Sequence, residues 1–403
     1  MRYRNITDAN DFSRDAAVVA DFVGEEEYHR SFVRLGKSLN LKGFVTPFDD
    51  ALFALELQLL NLENMREHWH GKFPMIPAQL HEGADFLIGL AQTIPALSDA
   101  GKARLLGQLK KGFQDGLWPL QHELRVAASL SNHGCDIQFH DLEEGCGYDF
   151  LAEKDGLKFE VEAKAVSAFT GWPIKPEDLN RLLVEVSEHF VWEEKGIPVF
   201  RLELSAGLPH DRLQLQALLT AINAVGTTRS PFSVPGVTIQ LLGVVQTLSS
   251  KQLERASYQH AQLTGRIVVV PPTLPRVVFE LSSKQPIRLE RKIIKLISET
   301  AREQFTKERP AVIWTHVKYV SQDAFTHLSA SQGNRSCLFD RVSNATLFSE
   351  KRNHLSQLVY SGGSVLRKAE RGSRSSFDAA VYNSSGCRFG DVFIFPANRK
   401  KRQ

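Results

Sequence analysis

Residues 148–165, YDFLAEKDGLKFEVEAKA, constrain this chain more than any other stretch. Two alternating runs flank Asp155-Gly156, and Asp-Gly is a strong signal for a two-residue hairpin because both central residues must take positive φ. With that turn the register follows by counting: Lys154 faces Leu157, Glu153 faces Lys158, and Asp149 faces Glu162. Directly opposite residues keep their Cβ atoms ~5 Å apart. Lys164 stands two residues beyond Glu162 and shares its face, whereas Phe159, Val161, Ala163 and Ala165 share the other and need a core. The ribbon therefore offers two facing carboxylates and an amine. That set suits a metal ion with a proton-transfer or charge-stabilising group beside it.

The competing account is an amphipathic hairpin whose charged face, Lys158, Glu160, Glu162 and Lys164, is simply solvated. Facing carboxylates argue against it, since a purely structural hairpin would place opposite charges across its strands. A divalent cation removes the cost of setting Asp149 against Glu162. Glu160 lies one pleat further from Asp149 and is expected to support the fold or the site.

The neighbours of the hairpin read as α/β. Trp118-Pro119 opens a helix, with proline suited to the first turn, that runs to Asn132 and stops at Gly134. Its stripe is Leu120, Leu124, Ala127 and Ala128. Glu123 borders that stripe and should point towards a sheet, although it could instead pair with Arg125 or cap a buried edge. Residues 135–141 alternate as a strand. Residues 177–194 carry Leu179, Leu182, Leu183, Val186 and Phe190 on one helical face, and 197–204 are expected to return as a strand parallel to the hairpin, through a right-handed crossover. Further strands are expected at 237–245, 266–270, 277–281, 311–317, 379–382 and 391–395, with a long helix at 287–305.

An α-β-β-β-α-β order with Asp on the second strand and Glu-x-Lys on the third resembles the PD-(D/E)xK nuclease superfamily, the restriction-endonuclease-like fold. The matching residues are Asp149 and Glu162-Ala163-Lys164, with Glu123 where many members carry a helical carboxylate. Residues 193–195 and 290–292 also fit Glu-x-Lys, so the tripeptide alone carries nothing; the conjunction carries the resemblance. Tyr148 stands where many members have proline. The resemblance spans residues 118–205, under a quarter of the chain. It implies Mg²⁺ or Mn²⁺ held by Asp149 and Glu162, with the Ala163 carbonyl and with Glu123 completing the site or recruiting a second ion. It also implies that Lys164 orients or deprotonates the attacking water and stabilises charge at phosphorus, with no covalent intermediate. Lys175, Asn180 and Arg181, opening the next helix, are weaker candidates for substrate phosphate.

The rest of the chain sets bounds. A 42% hydrophobic and 24% charged composition is ordinary for a globular protein. No long apolar run suggests a membrane span, and the N-terminal residues lack a secretory pattern. Four scattered cysteines make neither a disulfide framework nor a zinc site, so a cytoplasmic setting is expected. Nucleotide-motor, dinucleotide, zincin and nucleophile-elbow motifs are absent from the sequence. Residues 1–100 hold nine Lys/Arg against fifteen Asp/Glu, and 361–403 hold nine against three. The basic end suits a phosphate backbone, unless it is only a solvated tail.

The expected architecture is thus a helical region, 1–112, a nuclease-like α/β core with its extension, 113–320, and a basic α/β region, 321–403. The expected function is metal-dependent hydrolysis of nucleic acid, DNA rather than RNA, with a protein partner for the acidic N-terminal region and no membrane. The alternative is a catalytically silent nuclease-like scaffold or nucleic-acid-binding subunit.

Overall fold

A computed structural model describes residues 9–24, 26–27, 78–115, 117–167, 170–246, 266–269, 277–285, 288–318, 320, 322–331, 336–369 and 372–389. In chain order these form α1 (Ala9–Val23), α2 (Ala78–Thr93), α3 (Asp99–Asp115), α4 (Trp118–Asn132), β1 (Asp136–Phe139), α5 (His140–Glu144), β2 (Phe150–Lys154) and β3 (Leu157–Ser167). Next come α6 (Pro176–His189), β4 (Ile197–Leu204), α7 (Arg212–Thr228), β5 (Phe232–Val234), β6 (Val237–Val245), β7 (Arg266–Val269) and β8 (Val278–Ser283). The last are α8 (Leu289–Glu303), β9 (Ala311–Lys318), α9 (Gln322–Ser329), α10 (Leu338–Leu347), β10 (Leu355–Ala369) and β11 (Gly372–Asn383). Residues 28–77 of the expected helical region, the expected strand 391–395 and residues 399–402 of the basic end lie outside the described residues.

The hairpin forms in the register that its turn dictates. Asp155 (φ 52°) and Gly156 (φ 79°) both take the left-handed conformation, and the pairs run from Lys154↔Leu157 and Glu153↔Lys158 to Phe150↔Val161. Around it grows a six-stranded mixed sheet in the order β1-β2-β3-β9-β10-β11. Two of its five pairings, β3 with β9 and β9 with β10, are parallel.

Helices cover both faces of this sheet. On one side Leu120, Leu124, Ala127 and Leu130 of α4, with Phe86, Leu87 and Leu90 of α2, pack over Phe159, Val161, Ala163 and Trp314. Leu124 sits so close to α2 that a Cβ on Gly89 would come within 3.2 Å of its own. On the other side Leu289, Ile293, Ile297 and Ala301 repeat every four residues along α8, the spacing of one helical face. They pack with residues of α9 and α10 over Ile313, Val317 and Leu358.

A second sheet, in the order β5-β6-β4-β8-β7, is built from residues between β3 and α8. Helices α6 and α7 supply its core with Leu179, Leu182, Val186, Leu218 and Ile222. Here the structure corrects an expectation. Residues 197–204 form a strand, but in this second sheet, antiparallel to β6 and parallel to β8. The strand that returns parallel to β3 is β9, paired from Glu160↔Ala311 to Ser167↔Lys318. Two helix–strand units compete for that place, and a local pattern does not tell them apart.

Residues 135–141 are a strand only over Asp136–Phe139, after which α5 begins. The expected helix 177–194 ends at His189. Among the described residues no helix is long and apolar enough to cross a membrane.

Candidate active site

Two main-chain hydrogen bonds lock the hairpin carboxylates together. The Asp149 N–H donates to Glu162 Oε2 at 3.0 Å, and the Ala163 N–H donates to Asp149 Oδ2 at 2.6 Å. Lys164 Nζ bonds Glu162 Oε1 as an ion pair. The two carboxylates on the polar face of β3 are not solvated: Glu162 is 2% exposed and Glu160 fully buried, with α8 and its flanking residues packed on that side. Parallel strands covered on both faces bury consecutive residues, and β3 does so from Phe159 to Ala163.

Glu123 comes to the same place from α4. The preceding residue, His122, is buried, and its Nε2 lies 3.2 Å from the Trp314 carbonyl oxygen, joining the helix to β9. The His122 ring also stacks obliquely on His316, with centroids 5.1 Å apart. His316 Nδ1 and Trp314 Nε1 both meet Ser361 Oγ, at 3.1 and 2.9 Å. This buried network fixes the turn of α4 that presents Glu123. Burial holds both imidazoles neutral, His122 down to about 3 and His316 well below the usual histidine value.

The electrostatics of the cluster are lopsided. Burial, the Glu162 charge and the Asp141 charge push Glu123 up to about 8, against the pull of Lys164. Burial, then the charges of Glu123 and Glu162, hold Asp149 well above the carboxylate range despite the Ala163 N–H. Burial also raises Glu162, although Lys164 and the Asp149 N–H oppose it. Burial would lower Lys164, but the Glu162 carboxylate beside it wins and the ammonium is held more firmly protonated. Three carboxylates that feel one another thus share one ammonium, and metal-free they take up protons to relieve the repulsion.

An all-oxygen set of carboxylates short of positive charge could hold a hard divalent cation such as Mg²⁺ or Mn²⁺. It is not a finished cage: among the described residues no three His, Cys, Asp or Glu side chains converge as ligands. The charge is assembled, while Glu162 is still occupied by Lys164.

Glu160, next along β3, has another task. It accepts from the N–H and hydroxyl of Thr306 and lies 3.5 Å from Arg309, anchoring the loop between α8 and β9.

Asp141 and the histidine network escape a reading of motifs. Asp141 follows β1 in sequence and enters only because α5 folds back, its first N–H (His140) donating to the Asp149 carbonyl at 2.8 Å. The only local hint of the network is that His122 precedes Glu123.

Lys175, Asn180 and Arg181 fall elsewhere, at the start of α6 against the second sheet. Arg181 donates to the His210 carbonyl and lies 3.7 Å from Asp178 at the surface of that layer. Trp172, in the segment between β3 and α6, is buried in the second core.

No protein-family model, curated protein or solved structure matches the chain.

Proposed function

We propose that this protein is a divalent-metal-dependent nuclease of the PD-(D/E)xK type, acting on DNA, with Asp149, Glu162, Glu123 and Lys164 as its site. The observation that carries the proposal is the joining of Glu123 to the hairpin pair Asp149 and Glu162, in a cluster buried at Glu162, half-buried at the other two acids, and short of positive charge. On this view the αβββαβ core is α4-β1-β2-β3 completed by α8 and β9, and the second sheet is an insertion between its halves.

Bound to Asp149 and Glu162, with Glu123 adjoining, Mg²⁺ or Mn²⁺ would polarise a phosphodiester and acidify a water molecule. The chain's own residues do the rest. Asp149 is oriented through the Ala163 N–H and Glu162 through the Asp149 N–H, so neither carboxylate must be ordered on binding. Glu123 carries a proton at neutral pH in the metal-free protein and must release it to act as a ligand. Lys164, held protonated, is suited to stabilising negative charge on the phosphoryl oxygens rather than to taking a proton. The basic residues 399–402 would add sequence-independent phosphate binding.

A silent scaffold has one observation on its side, the satisfaction of Glu162 by Lys164 and the Asp149 N–H. One assay separates the two: supercoiled plasmid, linear duplex, single-stranded DNA and structured RNA incubated with Mn²⁺ or Mg²⁺, wild type beside Lys164→Ala. Cleavage that needs metal and is lost in the variant supports the nuclease. Absence of cleavage together with absence of any metal effect on the melting temperature supports the scaffold.

A further inference from the structure

One hydroxyl beside the site is buried without a partner among the described residues. In the parallel ladder between β3 and β9, Thr315 is the Cα partner of Lys164. Paired residues of neighbouring strands, about 4.8 Å apart, send their side chains to the same face of the sheet. Thr315 is 1% exposed, and among the described residues nothing hydrogen-bonds its buried Oγ1. Valine has the same shape and would occupy the position without leaving a polar atom unpaired, so an orphan hydroxyl here asks for an explanation. The neighbouring ammonium has three donors, and Glu162 Oε1 takes one of them. That oxygen belongs to a carboxylate assigned above to the metal.

We propose that Thr315 is a second station for Lys164. While Glu162 is free, Lys164 bonds Glu162 Oε1; once that carboxylate is engaged elsewhere, Lys164 shifts its hydrogen bond across the ladder to Thr315 Oγ1 and keeps its charge beside Asp149. The inference rests on the reading of Glu162 as an ion-binding carboxylate. Thr315 is then a positioning residue that acts through Lys164, and its hydroxyl stays unpaired in the metal-free protein because its partner is held by Glu162.

The test needs no metal and no substrate. Unfolding equilibria are compared for Thr315→Val in the wild-type background and in a Glu162→Met background, where Lys164 has lost its acceptor. In the first, Thr315→Val should leave the folding equilibrium unchanged or improved, having removed a hydroxyl with no bond to lose. In the second it should weaken folding roughly fivefold. Thr315→Ser should restore the loss, and adding Lys164→Met should make the threonine irrelevant again. Equal effects of Thr315→Val in both backgrounds would overturn the proposal, whatever the protein cleaves. Should Glu162→Met not fold, Mg²⁺ titration replaces it: the ion should raise the melting temperature of wild type and Thr315→Ser more than that of Thr315→Val, and an equal rise overturns the second station. No rise even in wild type would count against the proposed function instead, and Glu162→Ala then serves as the acceptor-free background.

Discussion

Asp149 and Glu162 hold each other through the main chain: the Asp149 N–H bonds the Glu162 carboxylate, and the N–H next to Glu162, that of Ala163, bonds the Asp149 carboxylate. Each acid is oriented by the other's strand. The acids are thereby held close, and burial, joined at Asp149 by the neighbouring carboxylate charges, raises their proton affinity although both N–H bonds favour the ionised forms.

The pH dependence of stability follows from Glu123. Its folded value, about 8, stands above its ordinary 4.5, so between the two the folded protein holds a proton that the unfolded chain has released. The stabilisation is complete below about pH 4.5 and is lost as pH rises through about 8. Metal-free wild type should lose up to about 4 kcal/mol between pH 5 and 9 from this group, with Asp149 acting in the same direction. Glu123→Gln should flatten that decline and exceed wild type at pH 9. Denaturant melts at the two pH values check both.

Metal binding should run against the same protons. Mg²⁺ or Mn²⁺ should stabilise the fold by about 2.7 kcal/mol at a hundredfold excess over Kd. The gain should be larger at pH 8.5 than at pH 6.5, because Glu123 and Asp149 must be deprotonated to act as ligands. Asp149→Asn should abolish it. Thermal melts with and without the ion decide the matter; a full shift in Asp149→Asn would remove Asp149 from the site.

Glu160 shares the strand face of Glu162 but should behave differently. Glu160→Ala leaves the Thr306 N–H and the partly exposed Arg309 without their buried acceptor, and should cost about 1–3 kcal/mol. The metal-induced shift of the protein that still folds should be preserved. Denaturation and ion titration of this one variant separate the anchor from the site.

The basic end can be tested by removal. Deleting residues 397–403 takes away Arg399, Lys400, Lys401 and Arg402. If these meet phosphates, the slope of log K against log salt should become shallower by up to about 3–4, near 0.9 for each phosphate that is no longer neutralised. An unchanged slope in a DNA-binding titration would remove the assignment.

Much of the site is legible in local chemistry. A two-residue turn that demands positive φ at Asp155 and Gly156 admits one register, and that register alone sets Asp149 against Glu162 and puts Lys164 on their face. The helical stripe of Leu120, Leu124 and Ala127 likewise places Glu123 at the edge of a buried surface. Turn and periodicity act over a few residues, so they survive without knowledge of the fold.

Packing between distant segments is not legible in that way. The sequence by itself determined the hairpin, its register and the residues on each face. Only the tertiary structure decided that β9 rather than 197–204 lies beside β3, that α8 covers the charged face, and that Glu160 anchors a loop while Glu162 remains with Asp149. Likewise, packing of α4 against the sheet, together with the charges of Glu162 and Asp141 that the fold brings near, converts Glu123 from an ordinary acid into one that keeps its proton to about pH 8. The physical reason is that the cost of desolvating a charge depends on everything packed around it, near or far in the sequence.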